Sequence, residues 1–549
     1  MGHGGNLDGL LSDSGANTKK RRFGKRLWLS DDDIQSCLKR FAEEKIRGNA
    51  SEQQLPKLNN PDVPAGYTYL AQFMTHDMSF NAGALLDPGQ STRIEARTTS
   101  LDLDSLYGGG PDANPLLYQI EGRKNNQCIR SKLRIGRTKK FENVSTEDDL
   151  PRACLNDIHT NFSCSEKMGH YPKEQICETS KPPKDEESPF PYFEAIVADS
   201  RNTDNLILQQ FVVLFIKLHN KICDLRSSEK MKPDVFFRSC RNTCTVVYRS
   251  VIVNDLLYRL LNREVYEHFF GDGLSLDALS NPLHANKLSN RHDQDKIFSS
   301  AAMRLGHAMI QPRYDYNSFF GHEHPKRKAA FLRKLLTFRN FLKKGDTDMP
   351  VTDDWIIDWD RFFPPLNPDQ KPKDQKFNDF VSGIVFNKSK KIGFDYSATF
   401  FDKLFNNDPQ KSGPWIGGLA FADLYRNFKN KLPQTSDVLD DAASAFDSAG
   451  ISIEEDMEAI KQQIDFPEEL LEILLVYLIG EAQFLEDGNR MGKLASYIVA
   501  AQVARSLTEL ELSASDKRFI NKIGISGMPI WMQEITSWLG VSGYHNSSS

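Results

Sequence analysis

Apolar and polar residues recur with a helical period along most of this chain. The pattern is clearest at residues 203–226, TDNLILQQFVVLFIKLHNKICDLR, where Asp204 stands near the start of the apolar run. Alternation of the β type is scarce, and the same helical period returns at several further places. These further predicted helices are 66–79, 233–261, 294–310, 326–343, 415–430, 467–485 and 490–512. The pattern predicts a mainly α fold, built as a single large domain.

Two polar regions interrupt this helical pattern. Residues 1–22 combine Gly, Ser, Asn and charge with few large apolar side chains, which is typical of a disordered arm. Residues 128–186 form a Cys-containing insertion rich in Pro, Lys and Glu, whose cysteine pairing sequence alone does not define. We therefore expect one domain over residues 23–549, with this insertion inside it.

The composition narrows the class of protein. The chain has 549 residues, 39% hydrophobic and 26% charged, and a net charge of -5, which does not suggest a nucleic-acid partner. We find no apolar stretch of about 18 residues and no apolar signal core, so we expect no membrane span and favour a cytoplasmic protein. Oligomeric state and compartment are not encoded in any motif.

The stretch QFMTHDMSF, residues 72–80, carries the first chemical signal. Gln72 and His76 would share one face of a helix, while Asp77 would point about 100° away. A single histidine among apolar residues is more often a hydrogen-bonded core residue than a ligand. The stretch alone therefore fits a core histidine, a metal ligand or one end of an active site.

Two further groups combine arginine and histidine. Arg201 precedes the helix 203–226 in ADSRNTDN, and Arg304 and His307 lie three residues apart in MRLGHAMIQP, on one helix face. Ordinary ion pairing or core packing would explain each group taken alone.

The loop 98–104 alternates side chains that carry oxygen. These side chains are Thr98, Ser100, Asp102 and Asp104. An extended backbone would turn them to one side, and Ca²⁺ prefers six to eight such oxygens. Asp77 would add a third carboxylate if the loop packs beside the helix 66–79. A solvated acidic turn is the alternative interpretation.

Together, these motifs resemble the animal-type haem peroxidases of the peroxidase–cyclooxygenase superfamily. The resemblance is nearest to the bacterial and fungal branch, which carries PAGYTYLAQFMTHDMSF and LDLDSLYGGGP in this order. It extends from about Phe23 to about Leu510. It implies a helical domain that holds haem between central helices.

The resemblance also implies roles for single residues. His76 would be the distal histidine above the haem, Arg201 the catalytic arginine, and Gln72 a residue lining the distal pocket. His307 would bind the haem iron, with Arg304 three residues before it.

Behind His307 this chain departs from the family. The segment GLAFADLYRNFKNKLP resembles the stretch that supplies an Asn to the iron-binding histidine, but Asp423 stands at that position. Arg426 matches an arginine near the haem propionates. Because a carboxylate accepts a proton more strongly than an amide, we expect Asp423 to make His307 more imidazolate-like.

The resemblance implies a Ca²⁺ site in the acidic loop. Its ligands would be Asp77, Thr98, the Ser100 carbonyl, Asp102 and Asp104. The family usually has Ser where Asp104 stands, so this site would be more acidic than in its relatives.

The covalent links to haem in mammalian relatives have no full counterpart here. Thr75 replaces the ester-forming Asp, and Asn205 replaces the Met of the sulfonium link. Asp204 replaces the second ester-forming residue, a Glu, and is one methylene shorter. Non-covalent haem b is favoured, with an ester through Asp204 as the alternative.

The implied reaction is oxidation of small phenolic or halide-like donors by H₂O₂ through a ferryl intermediate. One alternative is a haem dioxygenase acting on a fatty acid or other metabolite, which would need a tyrosine where Arg304 stands. A second alternative is an adhesion or interaction protein that uses the fold as a scaffold. The reducing substrate is not defined by sequence.

Overall fold

Helices make up most of the described chain in this computed structural model, which confirms the prediction of a mainly α fold. The described residues are 21–23, 27–29, 31–46, 55–79, 99–124, 127–138, 146–153, 194–283, 294–321, 329–331, 335, 351–365, 367, 385–396, 418–453, 455–521 and 529–541.

The helices differ in type and length. The longer α-helices are Asp31–Phe41, Ala65–Met78, Leu206–Arg226, Pro233–Ser250, Arg263–Phe270, Gly418–Lys429, Thr435–Ala449, Leu474–Leu485, Lys493–Ser506 and Met532–Leu539. The shorter ones are Asp104–Tyr107, Tyr258–Leu260, Leu276–Leu279, Gln294–Ser300, Asp456–Lys461 and Ala514–Ile520. The 3₁₀ segments are Leu55–Leu58, Pro115–Leu117, Ser200–Thr203, Ala302–His307, Asp353–Trp355, Trp359–Arg361 and Glu468–Glu472, and the π segments are Ala42–Ile46 and Val251–Leu257.

Strands in the described ranges form short antiparallel pairs. The pairs are Arg21–Phe23 with Leu27–Leu29, Asn59–Pro64 with Lys388–Lys390, Gly122–Lys124 with Gln127–Ile129, Arg152–Ala153 with Glu194–Ala195, and Arg313–Tyr314 with Ala330–Phe331. The first pair includes residues 21 and 22, at the end of the arm predicted to be disordered. Residues 1–20 lie outside the described residues, so the disordered arm stays a prediction.

Three predicted helices differ from the structure. The helix predicted at 467–485 is interrupted at Ile473, whose φ of -80° and ψ of 111° are extended, between the 3₁₀ segment Glu468–Glu472 and the α-helix Leu474–Leu485. The helix predicted at 294–310 breaks at Ala301, whose φ of -125° and ψ of -70° are not helical, and continues as the 3₁₀ segment Ala302–His307. Within the helix predicted at 326–343, Ala330–Phe331 is instead a strand, and most of the remainder lies outside the described residues.

The helix Leu206–Arg226 lies at the centre of the fold. It packs against Ala65–Met78 and against Pro233–Ser250. Sequence analysis found no apolar stretch long enough to span a membrane. In the described chain, this one helix meets that criterion by length and composition, but 83% of its apolar window is buried inside the protein. Its hydrophobicity is therefore accounted for by core packing.

The helix Ala65–Met78, called here the His76 helix, is fixed at its start by close packing. A Cβ at Gly66 would lie 2.6 Å from the Phe362 carbonyl oxygen, so only glycine fits there. One residue later, the Tyr67 hydroxyl donates to Asp255 at 2.8 Å, and the same carboxylate accepts Arg259 Nε at 2.8 Å. These buried contacts set the position of the helix that carries His76.

Candidate active site

His76 is buried near the end of its helix, with 7% of its surface exposed. Its Nδ1 lies 3.2 Å from Oδ1 of Asn202. Burial, followed by the positive charge of Arg201, lowers the pKa of His76 to about 4. The imidazole is therefore uncharged at neutral pH and free to act as a base.

Arg201 is held beside the end of the His76 helix. Its Nη2 donates to the backbone carbonyls of His76 at 2.8 Å and Ser79 at 3.0 Å. The carboxylate of Asp199 accepts from the same Nη2 at 2.6 Å and from Nε at 3.1 Å. These contacts fix the guanidinium group, so its positive charge is already held next to His76.

Gln72 lies on the same face of the helix as His76, one turn earlier. Its Oε1 accepts from Nδ2 of Asn205 at 3.0 Å. Asn205 also caps the helix Leu206–Arg226, because its Oδ1 accepts from the Leu208 N–H at 2.8 Å. The structure thus brings Gln72, His76 and Arg201 to one place.

His307 ends the 3₁₀ segment Ala302–His307 and faces a buried carboxylate. Its Nδ1 lies 2.6 Å from Oδ2 of Asp423, which is fully buried. Burial alone would raise the pKa of Asp423, but His307 and two arginines outweigh it and the pKa is lowered. Asp423 is therefore an ionised acceptor, and Nδ1 of His307 is the donor.

Arg426 bonds to the same carboxylate, and the charge of Arg304 also acts on it. Arg426 Nη1 donates to Oδ1 of Asp423 at 2.9 Å, and Arg304 Nε donates to the Ser299 carbonyl at 2.9 Å. Burial, followed by repulsion from Arg426, lowers the pKa of Arg304 to about 10, so it stays charged at neutral pH. Two cations share one carboxylate, which leaves positive charge for an anionic group.

The two histidine environments are adjacent in the fold. The His76 helix packs against the 3₁₀ segment that carries His307. After burial and Arg201, the charge of Arg304 also contributes to the lowered pKa of His76. Residues more than 200 positions apart in sequence therefore form one site.

Three carboxylates meet next to His76. One oxygen of each of Asp77, Asp102 and Asp104 lies within 4.8 Å of the others. Burial, followed by repulsion from Asp102 and Asp104, raises the pKa of Asp77 well above its usual range. A bound cation would relieve that repulsion. Thr98 lies outside the described residues, and Ser100 is half-buried.

The backbone of this loop is not extended as predicted. Leu103 has φ 60° and ψ 30°, in the left-handed region, and a short helix begins at Asp104. The cause is Asp77, which accepts the Leu103 N–H at 3.0 Å and the Ser105 N–H at 3.3 Å and so folds the loop over itself. The carboxylates are gathered by this turn and not by strand alternation.

Two positions relate to covalent attachment of haem. Thr75 offers no carboxyl group, and its hydroxyl donates to the Ala71 carbonyl at 2.7 Å. Asp204 is half-buried directly after the segment Ser200–Thr203, and its N–H donates to the Arg201 carbonyl at 3.0 Å. The ester through Asp204 stays a prediction.

Sequence reasoning missed Asp199 and Asn202, which bind Arg201 and His76, and it named Asn205 without its contact to Gln72. All three lie in the stretch ADSRNTDN, which contains Arg201. The available signal was the density of short polar side chains around that arginine.

The animal haem peroxidase family model matches residues 78–401, more than half of the chain, so this chain belongs to that family. The matched range begins after His76 and ends before Asp423. Membership implies haem and oxidation chemistry. Thyroid peroxidase from Homo sapiens is 22% identical over 141 residues, which are 25% of this chain and only 14% of that protein.

The chain is also similar to solved structures at low sequence identity. Peroxidase A from Dictyostelium discoideum has a TM-score of 0.53 at 12% identity, with 95% of this chain and 91% of that chain covered. The fatty acid alpha-dioxygenase of Oryza sativa has a TM-score of 0.47 at 13% identity, covering 92% and 76%. At such identity, the likeness to Peroxidase A shows the fold alone.

Proposed function

We propose that this protein is a haem-dependent peroxidase that uses hydrogen peroxide to oxidise small donor molecules. The proposal rests on one observation: two histidines lie in adjacent elements, and each contacts a different kind of side chain. His76 lies against a neutral amide, and His307 lies against an ionised carboxylate.

His307 fits the requirements of an iron ligand. Because Nδ1 donates its hydrogen bond to Asp423, Nε2 is the nitrogen left to bind a metal. The side chain of His307 is 27% exposed although Asp423 behind it is fully buried, so the ring borders open space. Arg304 and Arg426 would bind the carboxylates of haem b, held without a covalent link. When bound, haem would supply the iron that accepts oxidising equivalents from peroxide.

His76 and Arg201 fit the proton and charge requirements of peroxide cleavage. A neutral His76 can take a proton from one oxygen of H₂O₂ and return it to the other, as general base and then general acid. Arg201 would stabilise the negative charge that develops on the departing oxygen. Gln72, on the same helix face, would line the space where peroxide binds.

The carboxylates of Asp77, Asp102 and Asp104 would bind a calcium ion, with Thr98 and the Ser100 carbonyl as further ligands. Oxygen ligands of this kind suit a hard divalent cation. Since Asp77 directly follows His76, the ion would hold the end of the His76 helix in place.

Arg304 favours the peroxidase over a tyrosyl-radical dioxygenase. It occupies the position three residues before His307, where the dioxygenase would need a tyrosine. A nearby candidate, Tyr69, is buried with its hydroxyl bonded to Tyr314 at 3.1 Å, which suits a packing role. Among described residues, the site also retains more ionisable groups than a binding scaffold would need.

A paired assay on haem-loaded protein tests this proposal. We expect peroxide-dependent oxidation of a phenolic donor, falling at least about 100-fold in His76→Ala, because general acid–base catalysis contributes about 10²–10⁴. Oxygen uptake with palmitic acid, without donor oxidation, would support the dioxygenase instead. Failure to bind haem would contradict both the peroxidase and the dioxygenase, and it would favour an interaction protein that uses the fold as a scaffold.

A further inference from the structure

We propose that Asn202 is a positioning residue that fixes the ring proton of His76 on Nδ1, leaving Nε2 as its basic nitrogen. This inference rests on the proposed function, because it concerns the histidine that would move the proton of peroxide. It is argued from hydrogen bonds among buried groups and does not depend on haem.

The orientation of the Asn202 amide is set by a backbone carbonyl. Its Nδ2 lies 3.1 Å from the carbonyl oxygen of Ser105. A carbonyl oxygen can only accept a hydrogen bond, so the NH₂ group must face it. Turning the amide over would place two acceptors against each other in a buried position, since Asn202 is 0% exposed.

This orientation determines which nitrogen of His76 donates. The remaining amide atom, Oδ1 of Asn202, lies 3.2 Å from Nδ1 of His76. An amide oxygen has no proton to give, so Nδ1 must carry the hydrogen. Nε2 then has the free lone pair, and the described residues offer it no hydrogen-bond partner.

Ser105 is itself held in place by Asp77. Its N–H and its hydroxyl both bond to Oδ1 of Asp77, at 3.3 Å and 3.1 Å. Asp77 directly follows His76 on the same helix. The His76 ring therefore bonds to Asn202, Asn202 bonds to Ser105, and Ser105 bonds to Asp77, which is covalently next to His76. This closed ring of contacts links the acidic cluster to the histidine.

The expected consequence is a strong preference for one tautomer. With the proton on Nε2, the lone pair of Nδ1 would face the lone pairs of Asn202 Oδ1 and both acceptors would be unpaired. An unsatisfied buried acceptor disfavours that form by roughly tenfold or more. Replacing Asn202 with an apolar residue removes the preference.

Nitrogen NMR tests this directly on the full-length chain. The protein, labelled with ¹⁵N-histidine, is measured alone and loaded with zinc protoporphyrin, a diamagnetic stand-in for haem. Long-range ¹H–¹⁵N correlations distinguish a protonated from a bare ring nitrogen, and His76→Gln identifies the His76 signals. We expect a protonated Nδ1 and a bare Nε2.

Three variants separate positioning from general destabilisation. Asn202→Leu should give a mixture of tautomers. Asn202→Asp, protonated on the oxygen that faces the Ser105 carbonyl, keeps an acceptor oxygen towards His76 and should retain the Nδ1 proton. Asn254→Leu is the matched control, because it removes a buried amide that bonds to the backbone of Leu274. It should leave the His76 signals unchanged.

A wild-type spectrum with the proton on Nε2 would overturn the inference, as would an unchanged tautomer in Asn202→Leu. These outcomes do not depend on catalysis. A protein with the expected tautomer but no donor oxidation would leave the role of Asn202 standing and reject the proposed function.

Discussion

Asp423 is the residue whose chemistry bears most directly on the redox behaviour expected of His307. An ionised carboxylate 2.6 Å from Nδ1 shares that proton more strongly than an amide would. The added electron density on His307 should stabilise the oxidised iron. We expect Asp423→Asn to raise the reduction potential of the bound haem by about 60 mV, equivalent to a tenfold change in a one-electron equilibrium.

Spectroelectrochemical titration of the haem-loaded variants would measure this change. Asp447→Asn removes the same charge at an exposed position on the helix Thr435–Ala449 and serves as the control. A potential in Asp423→Asn that is equal to or below that of the unchanged protein would contradict the role assigned to Asp423.

Several of these contacts could be anticipated from sequence, and others could not. The residues of the short motifs around His76 and His307 are close together in sequence, so these motifs could be recognised without a structure. The partners of His76 and Arg201 depend on how Ser200–Thr203 turns relative to the His76 helix. That turn follows from packing between distant segments, so Asn202 and Asp199 became visible only in the structure.

At the scale of elements, the acidic loop and the His76 helix act as one unit. Burial, followed by repulsion from Asp102 and Asp104, raises the pKa of Asp77, so a cation bound among the three carboxylates should stabilise the fold. We expect millimolar CaCl₂ added to chelator-treated protein to raise the thermal midpoint. At a concentration 100 times the dissociation constant, the stabilisation should be about 2.7 kcal/mol.

Differential scanning calorimetry would record this shift, with MgCl₂ as the ionic control. Asp102→Asn should abolish the calcium response, while Asp112→Asn, at an exposed position in the following turn, should retain it. An identical midpoint with and without calcium would reject the calcium proposal.

The buried Glu481, which bonds to the start of the helix Lys493–Ser506, should make the stability of the protein depend on pH. Glu481 is fully buried, and its two carboxyl oxygens accept the Leu494 N–H at 2.7 Å and the Ala495 N–H at 3.3 Å. Burial outweighs these bonds and raises the pKa of Glu481 to about 8. The folded state therefore binds a proton that the unfolded state releases near its usual pKa of about 4.3.

The sign of the pH dependence follows from this difference. The stabilising effect of the protonated Glu481 is complete below the unfolded pKa and is lost as pH rises towards about 8, by an amount on the order of 5 kcal/mol. We expect urea midpoints to fall between pH 5 and pH 8, and to fall less in Glu481→Gln. Glu468→Gln, at an exposed position, is the control; a wild-type midpoint that does not fall would contradict the prediction.

Element boundaries depend on contacts that the hydrophobic pattern does not contain. The helical period at 294–310 continues through Ala301, but the chain breaks there and positions His307 at the end of a 3₁₀ turn. In the loop after residue 98, the side-chain bonds of Asp77 replace the extended backbone that the alternation suggested. In the loop, the bonds to Asp77 are a tertiary contact that outweighs the local pattern.

At the scale of the whole molecule, one site is assembled from segments spread along the chain. The His76 helix, the turn at Ser200–Thr203, the segment Ala302–His307 and the helix Gly418–Lys429 each supply a polar group to it. Membership of the animal haem peroxidase family is shown by the match over residues 78–401, which covers the turn and the segment Ala302–His307 but neither His76 nor Asp423. The mainly α fold was predictable because the helical period persists over long segments. The distances that define the site were not, since they depend on how those helices pack.

We propose that hydrogen peroxide reacts on the His76 side of this site, at haem bound by His307. Stopped-flow absorption spectroscopy tests it most directly, with haem-loaded protein mixed with about one equivalent of H₂O₂. We predict rapid loss of the Soret band in the unchanged protein, slowed at least about 100-fold in His76→Ala. A Soret band that persists in the presence of peroxide, or that decays equally fast in both proteins, would contradict the account.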